Sequence, residues 1–185
     1  MELIEAIKTR RSIRKFKTTP VKDEDLDIIL EAFRWAPSWA NTQCARLIII
    51  KDKEIISKLA ETLTPTNPAR SAMLEAPIVI AACAKLGRSG FKKGEPQTDK
   101  GNYWFMFDTG IAMQNLVLAA HSLGLGTVYI GLFDAAKAGS ILNLPQDIAA
   151  VAMTPLGYPD EEPEIHKRKE LSETVFYDTY GNEKS

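Results

Sequence analysis

The sequence predicts an α+β fold in which a small sheet is flanked by helices, and three observations carry that expectation. Segments with apolar residues at i, i+3, i+4 and i+7 alternate along the chain with short, continuous apolar runs. The segment "YWFMFDTGIAMQNLVLAAHSLGLG", starting at Tyr103, is apolar nearly all round, so it predicts a long helix that needs cover on every side. No linker or internal repeat divides the 185 residues, a length that suits one domain (1–185) with a real core.

The elements follow in order. "ELIEAIKTR" places Leu3, Ile4 and Ile7 at helical spacing and predicts a short helix. The basic stretch comes next. "VKDEDLDIILEAFRWAP" then sets Leu26, Ile29, Leu30 and Phe33 on one face, with Asp23, Glu24 and Asp25 in the first turn, where the helix dipole favours acids. Pro37 stops that helix. "RLIII" reads as a buried strand, "DKEIISKLAETL" as a helix and "APIVIAACAKL" as a second strand. Residues 87–102 are polar and rich in Gly and Lys, which predicts a mobile loop over a site or a surface excursion. After the apolar helix, which Gly124 and Gly126 end, "TVYI" reads as a third strand, "DAAKAGSILNL" as a short helix and "IAAVAMTPLGYP" as a fourth strand. The tail from Asp160 is polar, with a late apolar patch at Val175, Phe176, Tyr177 and Tyr180. A second copy of the chain is the expected cover for the all-apolar helix.

Composition narrows the function classes. Hydrophobic residues make up 45% and charged residues 25%, as in ordinary globular proteins. No apolar run approaches the roughly 20 residues needed to span a bilayer. "MELIEAIKTRRS" lacks the apolar core of a signal peptide. Cys44 and Cys83 form no metal-ligand or redox spacing and read as reduced thiols of a cytoplasmic protein. With a formal charge of -1 and one basic patch, the chain is expected to bind neither nucleic acid nor membrane, and no metal site is expected.

That basic patch is the main clue to chemistry. Five of the eight residues from Arg10 to Lys17 are basic. In an extended chain Arg10, Ser12 and Arg14 share one face, and Arg11, Ile13 and Lys15 the other. Guanidinium forks bind phosphate oxygens bidentately, and a hydroxyl adds a donor. Alternate residues stand about 6.6 Å apart, a span suited to a phosphate and a second electron-rich group of an extended ligand. A solvated basic strand is the plain alternative. "APSWANTQ", residues 36–43, then supplies a stiff Pro-Ser turn, hydrogen-bonding Ser38, Asn41 and Gln43, and the flat face of Trp39. Such a loop suits a planar heterocycle, or an Asn/Ser turn bonded to its own backbone.

Taken together, "RRSIRKF", "APSWANTQ", "LVLAAHSLGLGTVYIG" and the late basic "IHKRKE" resemble the FMN-dependent nitroreductase family, from Ile4 to about Thr174. The resemblance implies a three-layer α-β-α sandwich around a small mixed central sheet, built as an intertwined homodimer whose residues 160–185 pack on the partner. It implies an FMN-dependent oxidoreductase that takes two electrons from NADH or NADPH and passes them by a ping-pong mechanism to a nitroaromatic, a quinone or a similar planar acceptor. Arg10 and Ser12 would hold the FMN phosphate, with Arg168 and His166 reaching it from the C-terminal segment; Arg11 belongs to the same set. Arg14 would lie at the pyrimidine end, where a cation tunes the flavin. Pro37, Ser38, Trp39 and Asn41 would come from the other subunit. Tyr129, Ile130 and Gly131 would pass beside the ring with a backbone N–H facing N5. No side chain is expected to act as a catalyst. The alternatives are a specialised flavoenzyme of the same fold, flavin-fragmenting or dehalogenating, and a non-catalytic FMN-binding or storage protein.

Some positions depart from the family pattern. Cys44-Ala45-Arg46 stands where Pro-Trp often follows Gln43, Ile130 where some members carry Glu, and His166 where Lys is common. Asn67 and Arg70 are offered for the polar contact from mid-chain. The glycines of "LGLGTVYIG" follow a helix and open a strand, the reverse of a dinucleotide fingerprint, and so predict a helix cap and a turn. His121 and Asp108 lie in the apolar helix and predict satisfied structural contacts. Nothing near Cys44 argues for a lowered pKa.

Overall fold

A computed structural model describes residues 1–183; the last two residues of the segment expected to reach a partner lie outside the described residues. The chain runs α1 (Leu3–Thr9), α2 (Asp23–Arg34), β1 (Ala45–Ile50), α3 (Lys53–Ala60), α4 (Ala69–Glu75), β2 (Ile78–Lys85), β3 (Phe91–Lys92), β4 (Glu95–Pro96), α5 (Trp104–Ser122), β5 (Gly126–Thr127), α6 (Ala135–Ile141) and β6 (Ile148–Gly157). Four strands form one sheet in the order β1-β2-β6-β5, and β3 pairs with β4 as a separate hairpin. The sheet ladders are antiparallel. Among the described residues the sheet is mixed only through one parallel bridge, from Ser12 to Thr127.

The period-two alternation of β2 builds the layers. Ile78, Ile80 and Ala82 point into a core shared with Ile29 of α2 and Met113 and Leu116 of α5. Val79, Ala81 and Cys83 point the other way, against Ile56 and Leu59 of α3 and Met73 of α4. Each fully buried Ile or Leu contributes about 1.5–3 kcal/mol, so both faces of the sheet need a helical layer, and the expected three-layer sandwich results. The helix ends use local signals. Asp52 accepts from the Glu54 and Ile55 N–H groups at the start of α3, and Asp134 accepts from Lys137 N–H at the start of α6. At the end of α5, Gly124 (φ 77) turns left-handed, Leu125 N–H reaches Ala120 O at 2.9 Å and Gly124 N–H reaches His121 O at 3.0 Å. That is the glycine cap the sequence predicts.

Several features differ from the sequence reading. Helix α4 was not anticipated, because Pro65, Pro68 and Pro77 frame it as turn; Asn67 Oδ1 instead accepts Ala69 N–H at 2.9 Å and starts it. Residues 87–102 contain an ordered hairpin, closed by Gln97 N–H donating to Gly90 O at 2.8 Å. A Cβ on Gly90 would lie 2.6 Å from Trp104 Cδ1 and 2.9 Å from Gly101 Cα, so only glycine lets the hairpin close onto α5. Helix α5 buries one face and leaves Phe107 59% exposed, so its own chain does not cover it all round, in keeping with the expected cover by a second copy. On α1 the apolar Leu3, Ile4 and Ile7 are exposed and Ala6 is buried.

The basic stretch docks at the β5 edge. Ile13 N–H donates to Thr127 O, Lys17 N–H to Tyr158 O and Asp160 N–H to Lys15 O, each at 2.9 Å. Ile13 and Phe16 are buried three residues apart, so strict alternation fails between them. "TVYI" is a strand only at Gly126–Thr127, but Ile130 still bridges Met153 in the same register.

A Cβ on Gly126 would sit 2.8 Å from Ile13 Cβ and Cγ1, and a β-branched side chain cannot swing aside. Gly126→Ala is expected to destabilise the fold by about 1–3 kcal/mol. Gly139→Ala, a helical position whose Cβ would meet nothing closer than 3.7 Å, is expected to stabilise it by about 0.5–1 kcal/mol. Urea unfolding midpoints check both, and an unshifted midpoint for Gly126→Ala would contradict the tight docking of Ile13.

Candidate cofactor site

Two segments meet at this sheet edge, the basic stretch and the chain after β6. The Glu161 carboxylate accepts the N–H of Arg14 at 2.5 Å and of Lys15 at 3.3 Å, which pins the backbone and leaves both basic side chains exposed. Arg10 is half-buried. Its pKa is lowered chiefly by burial; Tyr129 opposes this, while Arg11 and Arg168 add positive charge. Arg168 therefore stands within electrostatic reach of Arg10, although more than 150 residues separate them in sequence. Arg11 Nη1 donates to Lys8 O at 2.8 Å and Arg10 O at 2.7 Å, while its Nε and Nη2 are buried without a partner. Among the described residues no carboxylate forms an ion pair with Arg10, Arg11, Arg14 or Arg168. A phosphate, which offers several acceptor oxygens and compensating charge, fits this donor set.

The other predicted residues fall unevenly around the cluster. Ser12 is half-buried beside Arg10 and Arg11, with its backbone bridged to Thr127. Tyr129 lies near enough to Arg10 to feel its charge; desolvation pushes its phenol up to about 12, Arg10 pulls against that, and its hydroxyl donates to Gln114 Oε1 at 3.3 Å. Ile130 cannot offer a flavin its backbone N–H, which goes to Met153 O at 2.8 Å. The neighbouring amides of Tyr129 and Gly131 carry no hydrogen bond among the described residues. His166 is exposed and makes no hydrogen bond among the described residues; Arg168 is the residue of that segment tied to the cluster. Asn67 Nδ2 donates to Leu132 O at 3.4 Å, which puts this mid-chain amide next to Gly131.

The loop from Pro37 to Gln43 forms a second surface. Ala40, Asn41 and Gln43 all have left-handed φ, of 44°, 52° and 47°. Such conformations cost non-glycine residues about 1–2 kcal/mol each, so the surroundings must impose them. Ser38 Oγ accepts Gln43 N–H at 2.8 Å, Arg46 Nη1 donates to Gln43 O at 2.6 Å, and Gln43 Nε2 donates to Asn41 Oδ1 at 3.2 Å. The Asp108 carboxyl, 3% exposed, accepts Trp39 N–H on both oxygens at 3.1 Å. Beside the loop is a cavity of about 170 Å³, lined in part by Phe33, Arg34, Pro37, Ser38, Arg46 and Asp108.

The two free thiols are both buried. The Cys44 thiol is pushed up by burial first and by Asp108 next, and burial raises Cys83 to about 11, so neither is a ready thiolate. Among the described residues no group of His, Cys, Asp and Glu could hold a metal, and no helix is long and apolar enough to cross a membrane. Sequence reasoning missed two residues that position the site. Glu161 sits in a polar tail where its only signal is an acid facing a basic segment, and Ser89, whose hydroxyl donates to Asp108 Oδ2 at 2.6 Å, lies in a polar run with nothing to single it out.

His121 Nε2 lies 2.9 Å from Thr9 Oγ1. Its pKa is lowered by burial first, then by Arg10 and Arg11. The folded chain therefore binds fewer protons than the unfolded chain just below the ordinary value of about 6.5. His121 contributes no penalty above that value and an increasing one as pH falls towards its folded value. Thermal stability is expected to drop through this window, and to drop less in His121→Gln, as read from melting curves in a pH series. Parallel curves for the two proteins would remove His121 from the effect.

The sequence matches the Nitroreductase family over residues 7–158. It is 33% identical over 169 residues to the NADPH-flavin oxidoreductase of Vibrio harveyi, covering 89% of this chain and 69% of that protein. It is 30% identical to the FMN reductase [NAD(P)H] of Bacillus subtilis, over 98% of this chain and 76% of that one. The solved NADPH:FMN oxidoreductase of Vibrio harveyi, complexed with NAD+, superposes with a TM-score of 0.85 at 31% identity, over 98% of this chain and 79% of that chain. Motif order, sheet topology and these likenesses agree, and the chain belongs to the nitroreductase family.

Proposed function

We infer that this chain is an NAD(P)H-dependent oxidoreductase that carries FMN. The observation that carries the reading is the cluster of Arg10, Arg11 and Arg168, whose guanidinium groups pair with no carboxylate among the described residues. Relatives named as flavin and FMN reductases supply the chemistry that fits it. When bound, FMN would supply two-electron redox chemistry between NAD(P)H and an acceptor. The chain's own residues bind and orient. Arg10, Arg11, Ser12 and Arg168 hold the phosphate, and Arg14 supplies positive charge at the pyrimidine end. A free amide at Tyr129 or Gly131 meets the ring edge.

Pro37, Ser38, Trp39 and Asn41 complete the site from a second copy. In support, the cavity beside that loop takes in no residue of the basic stretch. Further support comes from the apolar surface left open on α5 and α1, with Tyr103, Met106, Phe107, Leu3 and Ile7. A dimer in this family burying about 2,000 Å² or more would cover it, with residues 160–183 reaching over the partner. NAD(P)H and a planar acceptor such as a nitroaromatic or quinone would take turns at the same place, which gives ping-pong kinetics. The two buried thiols suit a reducing, cytoplasmic setting.

The purified protein is expected to be yellow, with one FMN per subunit. Arg10→Ala is expected to weaken FMN binding by about 1.5–3 kcal/mol, the usual range for hydrogen bonds to charged groups. A flavin titration checks this, and unchanged affinity would exclude Arg10 as a phosphate ligand. Phe107→Arg places a charge in the proposed interface and is expected to yield monomers with weakened FMN binding. Sedimentation at micromolar concentration reads the outcome, and a folded wild-type monomer there would overturn the dimer.

A further inference from the structure

Asp108 joins two loops that are far apart in sequence. It is the fifth residue of α5 and is 3% exposed. Its carboxyl accepts three kinds of donor: Trp39 N–H at 3.1 Å on each oxygen, Ser89 Oγ–H at 2.6 Å and Cys44 Sγ–H at 3.7 Å. Trp39 and Cys44 bracket the left-handed residues Ala40, Asn41 and Gln43. Ser89, 2% exposed, opens the β3–β4 hairpin region. One buried group therefore receives hydrogen bonds from the loop proposed to face the flavin and from the foot of the hairpin.

We propose that Asp108 is a positioning residue that fixes the strained Pro37–Gln43 loop in its flavin-facing conformation and couples it to the 87–102 hairpin. The proposal rests on the reading of that loop as a flavin wall. Removing an acceptor from a buried donor costs the donor its desolvation. Here the orphaned donor would be a backbone N–H one residue before the first left-handed position. The loop has no glycine at the three left-handed sites, so its conformation depends on such external contacts. Ser38 and Arg46 act at the Gln43 end; Asp108 acts at the Trp39 end. An Asn at 108 keeps the shape but offers one carbonyl oxygen for donors that now share two oxygens. Its amide NH2 can donate to Ser89 only if the serine hydroxyl turns round.

The test uses the full-length chain loaded with FMN and compares the wild type, Asp108→Asn, Ser89→Ala and the double variant. Three readouts apply: the FMN dissociation constant, the visible circular dichroism of the bound flavin, and amide hydrogen exchange resolved by segment. Asp108→Asn is expected to raise the dissociation constant about tenfold or more, to change the flavin dichroism, and to speed exchange at 37–43 and 87–92 while the β2 and β6 amides stay protected. Ser89→Ala, a mild change far along the chain from the loop, is expected to act in the same direction with smaller size. The double variant is expected to lose less than the product of the two single effects, because both act through one carboxyl group. If Asp108→Asn does not fold, Ser89→Ala decides alone: faster exchange at 37–43 supports the coupling, and unchanged exchange there overturns it. Unchanged FMN affinity and dichroism in folded Asp108→Asn overturn the positioning role while leaving the flavin reading intact. Uniformly faster exchange, including β2, would make Asp108 a general stability residue and also overturns it. Failure of the wild type to bind FMN brings down both.

Discussion

Strand β2 is buried on both faces, and the rest of the architecture answers to that constraint. A strand with apolar side chains on alternate sides cannot leave either side to water, so helices must cover each face. One layer comes from α3, α4 and α6, and the other from α2 and α5. The demand on α5 is the heavier one. It must cover Ile78 and Ile80 with one face while its opposite face also carries large apolar side chains. Its apolar pattern all round thus serves two surfaces, one inside the chain and one that faces outward.

The same sheet solves a placement problem for charge. Guanidinium groups brought together repel, the more so where water is excluded. The chain holds them with groups that carry no charge of their own: backbone hydrogen bonds to Thr127 and Tyr158, and the buried anchors Ile13 and Phe16. Burying two such anchors contributes about 3–6 kcal/mol, which works against that repulsion. Glu161 adds a carboxylate, spent on the Arg14 and Lys15 amides rather than on a guanidinium. Its negative charge helps to hold the strand while leaving the side-chain donors uncommitted.

Most of the secondary structure was legible in the sequence because periodicity, caps and apolar runs are local signals. α2, β1, α3, β2, α5, α6 and β6 fall where those signals lie, and Gly124 caps α5 as its position implies. Helix α4 was not legible, since prolines frame it and Asn67 starts it through a side-chain bond that spacing does not reveal. The hairpin was hidden for a related reason: it closes because Gly90 lets the backbone approach Trp104 and Gly101, and a contact of that kind leaves no periodic trace. Of the candidate site, the positive charge of Arg10, Arg11 and Arg168 could be read from composition and motif. The commitment of the Ile130 amide to Met153 could not, because it depends on the register between β5 and β6. Burial and bonding of Asp108 were foreseeable from the cost of a lone carboxyl in an apolar helix, but its partners were not.

The cationic cluster at the sheet edge also bears on how much of this protein a cell keeps. An anion that binds the folded chain and not the unfolded one stabilises it by mass action, by about 2.7 kcal/mol at a hundredfold excess over its dissociation constant. With Arg11 and Arg168 both adding positive charge at Arg10, part of that gain is the relief of repulsion the fold otherwise bears. A change of one or two kcal/mol is enough to alter steady-state abundance severalfold through proteolysis of unfolded chains. An anion seated on that cluster would therefore raise the folded fraction as well as complete the site.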